Sequence, residues 1–118
     1  MTYRSFKDLN VWQEARNLAV EVYRVSAKGP LSRDFGLRDQ IQRAAVSIAA
    51  NIAEGNDRSS AKEFSRFLDI ARGSAAELRT QLDIATQIGY LDKVIFDSLD
   101  DTCTKIGSMI AKLKRTLQ

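Results

Sequence analysis

The chain has 118 residues, a net charge of +3 and no histidine, with 44% hydrophobic and 28% charged side chains. That length makes one domain, long enough to bury roughly two thirds of the surface its unfolded chain exposes. The missing imidazole excludes the Glu-x-x-His pairs of di-iron bundles, histidine phosphotransfer, His-ligated zinc and Ser-His or Cys-His hydrolysis.

No apolar run approaches the roughly 20 residues that cross a bilayer. The first eight residues, Met1 to Asp8, lack the apolar core of a signal peptide. A lone Cys103 cannot close an internal disulfide, so a reducing cytoplasm is the expected compartment. A pI near 9.2 permits contact with nucleic acid or an anionic surface without demanding it.

Helix one is expected from about Asp8 to about Ala27, with Asp8 or Asn10 near its N-cap. Trp12, Ala15, Ala19 and Val22 recur at spacings of three, four and three and make its inward seam, with Phe6 and Leu9 folding the N-terminal arm onto the same core. Val11, Leu18 and Val25 recur every seven residues on another edge. Two readings of that second stripe stand: it faces another subunit, or helix one is central and touched on both sides by its own chain. Lys28-Gly29-Pro30-Leu31-Ser32-Arg33 breaks the helix.

Helix two, about Asp34 to Glu54, carries Leu37, Ile41, Ala44, Ile48 and Ile52 as one apolar stripe. Beside it Gln40, Arg43, Ser47, Asn51 and Glu54 form a polar ladder, because residues three and four apart sit one above the other. Gly55 is the expected left-handed residue that ends the helix. Asn56-Asp57-Arg58-Ser59 is then a short turn, which makes helices two and three antiparallel neighbours.

Ser60-Ala61-Lys62-Glu63 reads as a capping box for helix three, which continues to about Ile88. Phe64, Leu68, Ala71, Ala75, Leu78, Leu82 and Ala85 form its heptad seam. Folding about the Asp57–Arg58 turn sets Ala71 opposite Ala44 and Gly73 opposite Gln42. The close approach of helix two then accounts for a mid-helix glycine that costs up to about 1 kcal/mol against alanine. Ser74 and Glu77 fall level with Gln40 and Arg38, and Glu77 is expected to pair with Arg43 or Arg38. The ladder of Gln40, Arg43, Ser47, Asn51, Glu54 and Glu77 reads first as a structural network fixing register, and second as a ligand groove.

Gly89-Tyr90-Leu91-Asp92 closes helix three and caps helix four, about residues 93 to 116. Phe96, Leu99, Cys103, Ile106, Ile110, Leu113 and Leu117 form an unbroken seam, so Cys103 reads as a buried small hydrophobe. Acidic residues crowd the first half of this helix and basic ones the second, as the helix dipole favours.

The motifs Phe6-x-x-Leu9-x-x-Trp12, Gly36-Leu37-x-x-Gln40-Ile41-x-Arg43-Ala44-Ala45-x-Ser47-Ile48-x-x-Asn51-Ile52-Ala53-Glu54-Gly55 and Phe64-x-x-Phe67-Leu68-x-x-Ala71-x-Gly73-Ser74-x-x-Glu77-Leu78, with Gly89-Tyr90, span nearly the whole chain. Together they resemble the bacterial four-helix bundle family named for 23S ribosomal RNA intervening sequences. Ala49 departs from relatives that carry proline in a Ser-Ile-Pro run, which implies an unkinked helix two. The resemblance implies an all-α, up-down-up-down antiparallel bundle, often a homopentameric ring, with a poorly defined role. The accessory variability determinant protein of diversity-generating retroelements is similar, and it binds a reverse transcriptase and RNA through a basic surface.

In such a bundle the N-terminal arm, the helix two–three turn and the C-terminus share one end. That end collects Arg4, Lys7, Arg58, Lys62, Arg66, Lys112, Lys114 and Arg115 against Asp8, Glu54, Asp57 and Glu63, while the other end is near neutral. Repeated around a ring, the excess suits phosphates; the plainer reading is a solvated end serving helix dipoles. Trp12, Phe64, Phe67 and Phe96 fall on or beside core seams and offer no platform for stacking bases, leaving Tyr3 and Tyr90.

The expected protein is therefore a non-catalytic homo-oligomer that binds RNA or a reverse-transcriptase-like protein. The alternative is a protein-only scaffold. No cofactor, metal or small-molecule substrate is expected, nor any membrane contact, and no nucleophile, base and orienting group recur at a spacing that suggests an active site.

Overall fold

Local signals in the sequence set where each helix begins and ends. The computed structural model describes residues 5–118. Ser5 accepts the Lys7 N–H at 3.1 Å and opens a single 3-10 turn, Phe6–Asp8. Because that turn absorbs Asp8, the first long helix, α1 (Asn10–Ser26), starts after Leu9, which caps it with extended backbone and no side-chain bond. The expected Asp8 or Asn10 cap is thus replaced. Gln13 instead folds back and donates to the Lys7 carbonyl at 2.7 Å. Gly29, at φ 61°, and Pro30 lead into a second 3-10 turn, Pro30–Arg33.

Helix α2 (Phe35–Asn56) is capped by Asp34, whose Oδ1 accepts the Leu37 N–H at 3.2 Å. Helix α3 (Ala61–Gln87) is capped by Ser60, whose hydroxyl accepts the Glu63 N–H at 3.1 Å. Glu63 does not reach back to complete the box, because its carboxylate is taken by Arg66. At the far end of α3, Gly89 adopts φ 87°, Tyr90 N–H donates to Ala85 at 2.8 Å and Gly89 N–H to Thr86 at 3.0 Å. These two bonds satisfy carbonyls that the helix end would otherwise leave open. Asp92 then caps α4 (Lys93–Thr116), accepting the Ile95 N–H at 2.9 Å.

Each neighbouring pair meets in opposite order along the chain. Between α2 and α3, Gly55 meets Phe64 and Phe67, and Ser47 meets Ser74. Between α3 and α4, Asp69 pairs with Lys114 and Arg79 with Asp100. Between α1 and α4, Glu14 pairs with Lys105, whereas Val25 lies beside Val94. Between α1 and α2, Ser26 accepts from Gln42 at 2.9 Å, while the Phe6–Asp8 turn packs at the opposite end of α2. The result is an all-α four-helix bundle 45 × 20 × 19 Å, its long axis set by α3, since 27 residues rise about 40 Å. Among the described residues no helix is long and apolar enough to cross a membrane.

The expected seam of α3 is buried at every position, as are Ile41, Ala44, Ile48 and Ile52 of α2 and Leu99, Cys103, Ile106 and Ile110 of α4. Each large aliphatic so enclosed contributes roughly 1.5–3 kcal/mol relative to exposure. Helix α1 corrects the sequence reading. Its deepest residues are Val11, Ala15, Leu18 and Val22, with Val25 packed against them, while Trp12 and Ala19 are only partly covered. The heptad stripe that offered itself to another subunit is therefore the intrachain core, because α4 lies against that edge. Trp12 and Ala19 pack at its margin, half-buried, and line an open depression shared with α2.

Candidate nucleic-acid interface

Gly55 decides how the pole of the bundle is built. The sequence reading made it the left-handed stop of α2, but α2 runs through it to Asn56, and the positive-φ glycines are Gly29 and Gly89. A Cβ on Gly55 would lie 2.8 Å from Cβ of Phe67 and 2.9 Å from Cδ1 of Phe64. The glycine therefore exists for close approach of α3. Gly73, which was expected to face helix two, is exposed and has nothing within 4 Å of its would-be Cβ.

The register differs accordingly. Ser74 hydrogen-bonds Ser47 at 2.8 Å, so it lies level with Ser47, seven residues along α2 from the expected Gln40. Asn51 donates to the Ser47 carbonyl at 2.8 Å and to its hydroxyl at 3.0 Å. This trio is the part of the polar ladder that forms a network. Gln40, Arg43, Glu54 and Glu77 are exposed outside it. Glu77 pairs with neither Arg43 nor Arg38; Arg38 binds Asp39 at 2.9 Å and stacks over Phe35. Sequence reasoning missed two polar residues of the interior. Ser26 is buried and accepts from Gln42, and Gln81, one heptad beyond Ser74, is buried with its Oε1 lacking a partner among the described residues.

The three expected segments do gather at one pole. Phe6 and Ala53 line one depression, and Leu117 and Gln118 line another with Ala61, Lys62, Glu63 and Arg66. Arg4 and Tyr3 lie outside the described residues. Arg58 meets Glu54 at 3.3 Å, and its guanidinium lies over the Phe67 ring, 4.8 Å from the centroid. Arg66 grips Glu63 with two bonds of 3.0 and 3.2 Å and lies over the same ring at 4.6 Å. That grip holds the Glu63 carboxyl below its usual range and raises the Arg66 guanidinium.

Lys114 binds Asp69, an acid the sequence reading had left out of this pole. Lys7, Lys62, Lys112 and Arg115 are exposed and have no carboxylate within ion-pair distance among the described residues. The pole is thus basic but partly self-compensated. At the other pole Arg24 pairs with Glu21 at 2.7 Å and Lys93 with Asp97 at 3.0 Å, and Tyr90 donates to Asp34 at 3.1 Å. Such a surface, guanidinium and ammonium donors around a few carboxylates, is equipped to hold phosphate oxygens by charge-assisted hydrogen bonds. Among the described residues no group of three or more Cys, Asp or Glu is placed to hold a metal ion.

A second surface is apolar. Trp12, Ala19, Val20 and Tyr23 of α1 face Val46, Ala49, Ala50 and Ala53 of α2 across an open depression of about 630 Å³. Val20, Tyr23 and Val46 are each more than two-fifths exposed there: 41%, 47% and 44%.

A family model described as 23S rRNA-intervening sequence protein matches residues 7–112. No curated protein matches the chain. Among solved structures, a protein of unknown function from the S23 ribosomal protein family of Bacteroides thetaiotaomicron is similar at a TM-score of 0.81 and 24% identity, over 88% of this chain and 97% of that one. At that identity the likeness speaks to the fold.

Proposed function

This chain belongs to the 23S rRNA-intervening sequence protein family, and from that premise we propose that it is a non-catalytic, homo-oligomeric helical bundle that binds RNA, or a nucleic-acid-processing enzyme such as a reverse transcriptase, through its basic pole. The observation that carries the reading is the convergence of Lys7, Lys62, Lys112 and Arg115 on one pole with no carboxylate partner among the described residues. Exposed cations without partners release counterions when they meet phosphates, so affinity falls linearly in log–log terms as salt rises. Titration of a structured RNA at several salt concentrations tests this. A steep negative slope, reduced in Lys62→Gln and Lys112→Gln, is expected; binding that is absent or indifferent to salt overturns it.

The oligomer is read from the apolar α1–α2 surface and, for a ring of five, from the family resemblance. Exposed apolar patches rimmed by polar residues mark contact sites. Val46→Glu should lower the mass measured by light scattering while leaving helicity intact. A wild-type protein that is already monomeric at micromolar concentration removes this part of the reading. The lone buried thiol suits a reducing cytoplasm.

The same apolar surface favours a second reading, a scaffold that engages protein alone. Partner capture that survives nuclease treatment, together with no RNA binding, would select it.

A further inference from the structure

Within the basic pole the seven described cations are not equivalent. Lys7, Lys62, Lys112 and Arg115 are long solvated side chains, whereas Arg58 and Arg66 are each held twice, by a carboxylate and by the Phe67 ring. Phe67 is itself fixed: it is 8% exposed and pressed onto α2 at Gly55. A guanidinium ordered before its ligand arrives loses less freedom on binding than a mobile ammonium. Arg66 spends Nε and Nη2 on Glu63, and Arg58 directs Nε to Glu54. Nη1 and Nη2 of Arg58 and Nη1 of Arg66 make no hydrogen bond among the described residues.

We infer that Arg58 and Arg66, mounted on Phe67, form a preorganised phosphodiester fork, and that this fork takes the backbone of base-paired RNA without stacking on its bases. The inference rests on the reading of this pole as RNA-facing. Its second half follows from the aromatic residues. Both guanidinium groups lie over the same buried ring, Phe67, while the other rings described at this pole are engaged within the fold: Phe64 is buried at Gly55, and Phe6 packs edge-on against Trp12 at 5.0 Å. Among the described residues the well-exposed aromatic side chains are elsewhere: Phe35 lies under Arg38 at the opposite end of α2, and Tyr23 lines the apolar depression. Single-strand binders need open aromatic faces on which successive bases stack. Here the ring serves the cations, and the contacts left are to phosphate oxygens, which position a duplex but read no sequence.

The test uses an RNA hairpin and an unstructured strand of equal length, with the wild type and the double variant Arg58→Lys/Arg66→Lys. The double variant keeps the charge, so the slope of log affinity on log salt should not change, yet hairpin affinity should fall about tenfold, the scale of one lost bidentate contact. Both side chains are exposed, and an unchanged thermal melt establishes that the variant is folded. Wild type that binds neither RNA refutes the functional reading itself. Wild type that binds, with hairpin affinity unaltered in the double variant, overturns the fork alone. Tighter binding of the unstructured strand than of the hairpin overturns the phosphate-only half.

Discussion

Gly55 and Phe67 touch so closely that a Cβ on the glycine would sit 2.8 Å from the Cβ of the phenylalanine. The atom in the way is anchored to the α3 backbone and cannot swing aside, so Gly55→Ala must push the two helices apart. Overpacking of this kind costs about 1–3 kcal/mol, set against a helix-propensity gain of up to about 1 kcal/mol. Gly73 and Gly107 are the internal contrast, since nothing lies within 4 Å of either would-be Cβ. Gly73→Ala and Gly107→Ala should each stabilise the chain by about 0.5–1 kcal/mol. Urea unfolding of the three variants, with the sign of the change as readout, checks the assignment.

What the sequence could disclose follows from periodicity. A 3.6-residue repeat reports which positions of one helix share a face, and the α3 seam and most of the α2 and α4 seams read correctly for that reason. It does not report how two helices slide past one another. α2 continues past Gly55 to Asn56 and α3 waits until Ala61, so the hairpin folds later than the Asp57–Arg58 centre, and Ser74 meets Ser47. Nor does it choose between two apolar stripes on one helix. Val11 and Leu18 against Trp12 and Ala19 are equivalent choices until α4 is placed. At the pole the gathering of cations was legible from the alternating topology. The Asp69 partner of Lys114 was not, because Asp69 lies more than two turns into α3.

Leu78 and Gln81 are buried on the same helix and should respond oppositely to mutation. Leu78 is fully enclosed, so Leu78→Ala removes packed volume and is expected to cost about 2–5 kcal/mol. Gln81 buries an amide oxygen that has no partner among the described residues. Replacing such a group with a hydrocarbon of similar size recovers a desolvation penalty of about 1–3 kcal/mol, so Gln81→Met should raise the unfolding midpoint. A destabilised Gln81→Met would mean that the amide is satisfied in solution.

The C-terminal cations separate in the same way. Lys112 and Arg115 are exposed and lack carboxylate partners among the described residues, so Lys112→Gln/Arg115→Gln should change stability by less than about 0.5 kcal/mol. Lys114 keeps only 24% of its side chain exposed and binds Asp69 across the α3–α4 interface. Its replacement by Gln should cost up to about 1 kcal/mol, and more at low ionic strength than at high. Replacing Lys112, Lys114 and Arg115 together with Gln should therefore cost little beyond the loss of Lys114, which a thermal melt of the single variants resolves.

Cys103 lies 1% exposed in the α4 seam, and burial pushes its thiol from an ordinary value of 9.0 up to about 12. The neighbouring Asp100 carboxylate adds to the rise and Arg79 opposes it. Well below pH 9 the thiol is protonated in both folded and unfolded chains and its titration has no effect on the balance between them. Above it, the unfolded chain loses the proton and the folded chain keeps it. Stability therefore declines with rising pH at up to about 1.4 kcal/mol per unit until the folded thiol ionises as well. Other groups titrate in that range, so the informative quantity is a difference: between pH 9 and 10.5, wild type should lose more stability than Cys103→Ala. Native protein at pH 8 should also react with a thiol reagent only as fast as it opens, and at once in denaturant. Rapid labelling of the folded chain would place Cys103 at the surface and the α4 seam out of register.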